Sequence, residues 1–323
     1  MIRELLAKFG RQRVLVLGDI MLDHYIWGKV ERISAEAPVP VLEVQKEEFR
    51  LGGAANAALN VKSLGGEAIL LGVTGRDSAA QDLKQLMECK GLATDGLIAD
   101  PDRKTTLKTR IVATNQQIVR IDRETQIDLG NEARTALLDS LRRLLPGCQA
   151  LIIEDYNKGV LTREVISGAL ELAKSLGIPV AVDPKHRNFR QYRGVDIFKP
   201  NFRELQDILD MEFESEDEFL AAASQLRSEM QIKNLIVTRG SLGMYVFDGG
   251  KQARHLPTAA REVFDVSGAG DTVISALTLA YVSGADIHLA AKVANHAAGV
   301  ACGIVGTASV GPDELLKSYN EQR

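Results

Sequence analysis

An α/β fold is predicted for this chain of 323 residues: a mostly parallel sheet covered by helices, with a small second sheet standing outside it. Two observations predict it. Short, near-continuous apolar runs alternate with longer helical patterns, as expected of strands buried on both faces between crossover helices. Two segments, 24–48 and 104–123, break that alternation with β-branched residues between polar ones, the period of half-buried strands.

Taken in chain order, the apolar runs 13–17, 68–72, 150–154, 179–183, 196–199 and 234–238 read as strands. Between them, 54–64, 78–90, 132–145, 163–176 and 216–230 carry the 3.6-residue period of amphipathic helices. Ser215, with Glu218 three residues on, has the form of a capping box at the start of the last of these. The two irregular segments are expected to form a small antiparallel sheet. Such a sheet needs a cover, either a substrate or a second subunit, unless it is only a pair of edge hairpins. No repeat, low-complexity tract or linker divides the chain. In such sheets ligands sit at the carboxyl ends of the strands.

Composition narrows the function. Hydrophobic residues make up 45% of the chain, enough for a large core, and Lys+Arg 39 against Asp+Glu 43 gives a net charge of −4. No basic block exists, so binding to nucleic acid or a membrane surface through bulk charge is not expected. Cys89, Cys148 and Cys302 are scattered without a CxxC pair, as suits reduced thiols. Residues 1–10 lack a signal-peptide core and no transmembrane run is present, so a soluble, cytoplasmic protein is expected. His24, His186, His255, His288 and His296 form no metal-spaced pair.

The richest stretch is Phe264-Asp-Val-Ser-Gly-Ala-Gly-Asp-Thr272. Gly268 and Gly270 let a ligand approach the backbone, and the apolar run after them is expected to open a helix whose N-terminus suits an anion. Asp271 would repel a resting phosphate but can take the proton from a hydroxyl attacking one. The loop therefore points to phosphoryl transfer to an alcohol, although an ordinary helix start has the same look.

Other candidates lie at strand ends. Asp19 and Asp23 follow the first strand and suit sugar hydroxyls, or equally a turn or cap. Gly52 and Gly53 open a helix in which Asn56 offers both donor and acceptor to a polyol, or simply allow close packing. Asp155 and Lys185 end two further strands, and Lys185 is placed to hold a phosphate as a point charge. Asn201 and Glu204, at i and i+3, are expected to share a helix face and to suit water-mediated Mg²⁺ or a nucleotide phosphate. Thr238 and Gly240 close the next strand, where a nucleotide would lie. Lys104, Lys108 and Arg110 make a basic cluster that suits a substrate phosphate or a solvated face. There is no GxxxxGK[ST], no protein-kinase motif set and no GxGxxG after the first strand, which disfavours P-loop, protein-kinase and nicotinamide-binding readings.

In this order the segments resemble the ribokinase-like sugar kinases, also called the phosphofructokinase B family. Leu51-Gly-Gly-Ala-Ala-Asn56 resembles the family's N-terminal glycine signature. Asp265-Val-Ser-Gly-Ala-Gly-Asp271-Thr resembles its C-terminal signature, with Val266 in place of the common Thr. Lys199-Pro-Asn201-Phe-Arg-Glu204 resembles its Asn-x-x-Glu element, and Thr238-Arg-Gly240 its nucleotide-side turn. The resemblance runs from Arg13 to Ala308. Within the family, Gly18-Asp-Ile-Met-Leu-Asp23, the stretch 33–41, Lys108-Thr-Arg110, Asn115-Gln-Gln and Asp155-Tyr-Asn-Lys-Gly159 resemble the kinases of ADP-heptose synthesis.

The resemblance implies a three-layer αβα sandwich with a β-sheet lid, in one kinase domain over residues 1–323. It implies ATP and Mg²⁺, the latter reached by Glu204 through water. It implies transfer to O1 of D-glycero-β-D-manno-heptose 7-phosphate on the route to the lipopolysaccharide inner core. Asp271 would be the base, with the amides of Ala269, Gly270 and Asp271 cradling the moving phosphoryl group. Asp19, Asp23 and Asn56 would meet the sugar, and Lys185, Lys108 and Arg110 its distal phosphate. Family members pair their lids into a homodimer, and the apolar positions of 39–44 permit that here. No HxGH motif is present, so no adenylyltransferase module is expected. Alternatives are a related kinase acting on fructose phosphate, ribose or a nucleoside, and a catalytically silent sugar-phosphate sensor.

Overall fold

The computed structural model describes residues 2–113, 116–250, 252–260, 264–304 and 309–321; Asn115 and Ala308 lie outside them. The chain begins with α1 (Ile2–Ala7), β1 (Arg13–Gly18) and the long hairpin strands β2 (Ile20–Ile33) and β3 (Pro40–Gly53). There follow α2 (Ala54–Ser63), β4 (Glu67–Thr74), α3 (Ser78–Cys89) and β5 (Leu97–Ala99), then a second hairpin, β6 (Thr106–Ala113) and β7 (Gln116–Arg123). The alternation resumes with α4 (Asn131–Leu144), β8 (Ala150–Glu154), α5 (Arg163–Leu176), β9 (Val180–Asp183) and β10 (Ile197–Phe198). Then come α6 (Phe202–Leu209), α7 (Glu216–Glu229), β11 (Asn234–Thr238), β12 (Met244–Phe247) and β13 (Arg254–Leu256). Three helices close the chain: α8 (Ala269–Val282), α9 (Ile287–Cys302) and α10 (Pro312–Glu321).

Among the described residues, nine strands form the large sheet in the order β13-β12-β11-β10-β9-β8-β1-β4-β5. The pairs from β11 through to β5 are parallel, and β12 and β13 add an antiparallel edge. Alternate residues of each strand face opposite sides. Val14, Val16 and Ile152 therefore join one core with α2, α3, α8 and α9, while Leu15, Leu17, Leu151 and Ile153 join another with α4 to α7. This is the predicted sandwich. The six predicted strands and five predicted helices are present, with ends moved by a residue or two.

Local signals set several ends. Asp77, Thr162 and Asp286 each accept a backbone N–H as N-caps of α3, α5 and α9, and Gly177 ends α5 in the left-handed region. Ser215 caps α7, but Glu218 turns back to the amide of Glu214 rather than Ser215, so the expected capping box is half formed.

The second sheet has the order β3-β2-β6-β7. It starts at Ile20 and ends its first hairpin at Gly53, wider than the expected 24–48. It is also not wholly antiparallel. β2 pairs with β6 in parallel, Asp23 beside Lys108 and Tyr25 beside Arg110. The two hairpins are separated by α2, β4, α3 and β5, so the connection is long enough for a parallel crossover. Val44, Ile118 and Ile121 leave large apolar side chains exposed on this sheet. The three cysteines are free, and among the described residues no helix is long and apolar enough to cross a membrane.

Candidate active site

In the large sheet β1 lies between β4 and β8, the place where the connections reverse direction. In open α/β sheets the ligand crevice lies at such a point, outside the carboxyl ends of the strands. Asp19 follows β1, Tyr156 follows β8, Lys185 follows β9, Lys199 and Asn201 follow β10, and Thr238 ends β11. Gly268 meets this crevice as the N-cap of α8, held in the left-handed region at φ 77°.

Asp271 sits in the first turn of α8 and is buried. Tyr156 donates its hydroxyl to Asp271 Oδ1 at 2.6 Å, and Asn56 Nδ2 donates to Oδ2 at 2.6 Å. Burial raises the Asp271 carboxyl to about 6, with the two hydrogen bonds opposing the rise and the Asp183 charge adding to it. Beneath it lie Glu154 and Asp183, and oxygens of the three carboxylates fall within 4.8 Å of one another. Lys199 Nζ lies 2.7 Å from Asp183 Oδ2. Burial opposes the charge on Lys199, yet the Asp183 carboxylate holds its ammonium above the usual lysine range. Both carboxylate oxygens of Glu154 are buried and unpartnered. Burial, then Asp183 and Asp271, push that carboxyl well above the usual range. Lys185 also acts on Glu154 and Asp183 but is shared with Glu204, so the three buried carboxylates still favour a retained proton or a bound cation.

On the second sheet, Arg110 donates to Asp23 Oδ1 at 2.6 Å and lies over the Tyr25 ring, 5.1 Å from its centroid. Gly52 packs against this pair: a Cβ there would stand 3.0 Å from Asp23 Oδ2. Gly53 has φ 55°, and a Cβ on it would meet the Asp19 carbonyl at 2.4 Å. On the other side of the loop, a cavity of about 530 Å³ is lined by Thr238, Gly240, Val266, Gly270, Asn295 and Cys302. Of the four residues expected on the cofactor side, Thr238 and Gly240 line it, and Asn201 and Glu204 do not.

Several expectations need correction. Asp19 is buried, and its carboxylate accepts the amides of Tyr156 at 2.8 Å, Lys158 at 3.1 Å and Val160 at 3.3 Å, so it builds the loop after β8. Asp155 likewise accepts from Asn157, Asn188 and Tyr192 within the scaffold. Asn201 does not share a helix face with Glu204: it is the N-cap of α6, in a capping box with Glu204. The Ala269 amide donates to the Val266 carbonyl, which draws it out of the expected cradle. Lys108 is engaged by Asp122 and Glu124, and Arg110 by Asp23, so two of the three residues of the expected basic cluster are paired with carboxylates. Lys185 forms an ion pair with Glu204 and lies over the Tyr156 ring, on the side of Asn201 and Thr238 rather than with Lys108 and Arg110. Tyr156, Lys199, Glu154 and Asp183 were not singled out for roles. Their position at strand ends was the available signal.

A buried carboxylate at the amino end of a helix, with an apolar cavity across the same loop, suits phosphoryl transfer from a nucleotide to an alcohol. The fold and site thus define a small-molecule kinase. Residues 11–314 match the family described as pfkB family carbohydrate kinase, and the chain belongs to that family. It is 43% identical over 304 residues to the bifunctional protein HldE of Citrifermentans bemidjiense, covering 94% of this chain and 62% of the relative. It is 40% identical over 321 residues to the bifunctional protein HldE of Geobacter sulfurreducens, covering 99% of this chain and 66% of the relative. The chain thus spans less than two thirds of the length of these relatives. Among solved structures, phosphofructokinase-2 of Escherichia coli in complex with substrates and products superposes with TM-score 0.81 at 19% identity, over 97% of this chain and 100% of that one. Arabidopsis thaliana ribokinase complexed with ribose and ATP gives TM-score 0.74 at 19% identity, over 95% and 98%. These two share the fold.

Proposed function

We propose that this chain uses ATP to phosphorylate O1 of D-glycero-β-D-manno-heptose 7-phosphate, a step toward the lipopolysaccharide inner core. One observation carries the choice of sugar. Asp23 and Arg110, which touch beside the glycine pair Gly52-Gly53, both belong to segments that resemble heptose 7-phosphate kinases. The similarity to HldE proteins along nearly the whole chain supports the same reading.

In this mechanism Asp271 accepts the proton of the anomeric hydroxyl as its oxygen bonds to the γ-phosphorus and the bond to the ADP oxygen breaks. Charge spreads over the phosphoryl oxygens, and the helix-start amides of Gly270 and Asp271 would meet it. Lys185, beside Glu204, fits the transferred phosphate better than the distal phosphate of the sugar. Arg110 then replaces Lys185, the residue first expected there, as the preferred ligand for the latter. Asn56 would face the sugar as well as hold Asp271. Thr238 and Gly240 would border the nucleotide.

The unpartnered oxygens of Glu154 and the neighbouring Asp183 fit a divalent cation, and Glu204 would reach it through water. When bound, Mg²⁺ would neutralise charge on the phosphates. The second sheet would act as a lid that limits hydrolysis of ATP by water. Its exposed Val44, Ile118 and Ile121 support pairing of two lids in a homodimer. ATP as donor and free thiols support a cytoplasmic setting.

The neutralised Lys108 favours a second reading, a related kinase with an unphosphorylated acceptor such as ribose. Coupled ADP release with heptose 7-phosphate, fructose 6-phosphate, fructose 1-phosphate and ribose separates the two. Turnover is expected with the heptose phosphate. Turnover only with ribose would replace the first reading by the second, and ATP hydrolysis indifferent to every sugar would remove both.

A further inference from the structure

Asp271 is gripped from two sides by very different scaffolds. On one side Asn56 belongs to a closed network within the helix packing: Asn60 Nδ2 donates to the Asn56 carbonyl at 3.0 Å, and Thr272 donates its hydroxyl to Asn60 Oδ1 at 3.0 Å. On the other side Tyr156 stands on a loop whose shape is fixed one residue at a time. Its own amide is held by Asp19, Asp155 before it has three partners, and Asn157 after it takes φ 55°, unusual for a residue with a side chain. Lys185 lies 5.2 Å from the centre of the Tyr156 ring and is itself paired with Glu204.

We infer that Tyr156 is a positioning residue for the transfer step, fixing the Asp271 carboxylate so that one lone pair faces the acceptor hydroxyl. A carboxylate on a single donor can rotate about its Cβ–Cγ bond, whereas one held at both oxygens keeps its plane. Misplacing a catalytic group by a fraction of an ångström lowers the rate of the chemical step without weakening ground-state binding. The stack of Lys185 on the phenol ties this orientation to Glu204, the nucleotide-side acid. Base and phosphate site are thus braced through one ring. This rests on the carbohydrate-kinase activity of the family but not on which sugar is the acceptor.

The test is a double-mutant cycle in the full chain, with Tyr156→Phe, Asp271→Asn and the pair. Tyr156→Phe is expected to lower kcat about tenfold, with KM for ATP and sugar within about twofold. In the Asp271→Asn background the same change is expected to cost less than about twofold, because the carboxylate it positions is gone. A full tenfold loss in that background, or a rise in sugar KM at unchanged kcat, overturns the proposal. A second arm needs no sugar. The unfolding-midpoint losses of the single variants in urea should not sum to that of the pair; strict additivity would show that the phenol does not grip Asp271. If wild-type protein turns over no sugar, the kinase reading fails by itself, and the unfolding arm still decides the contact.

Discussion

Asp271, the proposed base, is a buried carboxylate whose surroundings raise its carboxyl to about 6. Removing its charge while keeping its shape is the direct test: Asp271→Asn should fold, bind both substrates with KM near wild type, and lose about 10²–10⁴-fold in kcat. A purified variant with full activity would refute the role of base. The pH dependence has a definite sign. Because burial raises the carboxyl to about 6, the base carries a proton below that pH and is free above it. The acid limb of kcat/KM should therefore fall roughly tenfold per pH unit below about 6. A flat profile from about pH 5 to about pH 8 would mean that another group limits the reaction. The residue itself was readable because glycines, helix start and carboxylate are contiguous in sequence. Tyr156, Lys199 and Glu154 were not, because nothing local says that three strand ends meet under one helix.

At the scale of elements, the loop after β8 is the part that sequence alone assigned differently. Asp19 looked like a sugar ligand from its place after β1, yet its carboxylate ties down Tyr156, Lys158 and Val160. Asp19→Asn replaces an acceptor oxygen by a donor facing amides, a mismatch that costs about 1–3 kcal/mol. Chemical denaturation should show that loss, with kcat reduced more than sugar KM. If stability is unchanged and KM rises steeply, Asp19 touches the sugar after all. The elements of the main sheet were legible because two-sided burial writes continuous apolar runs such as Ala150–Glu154. The lid was only partly legible. Alternation marks a half-buried strand, but it carries no information on which distant strand lies alongside, so the parallel pairing of β2 with β6 went unforeseen.

At the scale of the whole molecule, the proposed homodimer would form through the second sheet. Val44 and Ile121, 50% and 55% exposed on this sheet, are the side chains the proposed interface would cover. A charge at each, Val44→Asp with Ile121→Asp, should convert a dimer into a folded monomer, read by light scattering across a dilution series. A wild-type chain that is monomeric at every concentration would remove the lid interface.

One feature of the site bears on how the protein comes into being. Asp271 bonds to Asn56 across 215 positions of chain and to Tyr156 across 115. Contacts of such span close late, because the entropy of joining distant segments must be overcome before they stabilise anything. A partly folded chain can hold the lid hairpins and still have no base in place. During refolding, phosphotransfer should therefore return with the slowest phase, after secondary structure has recovered.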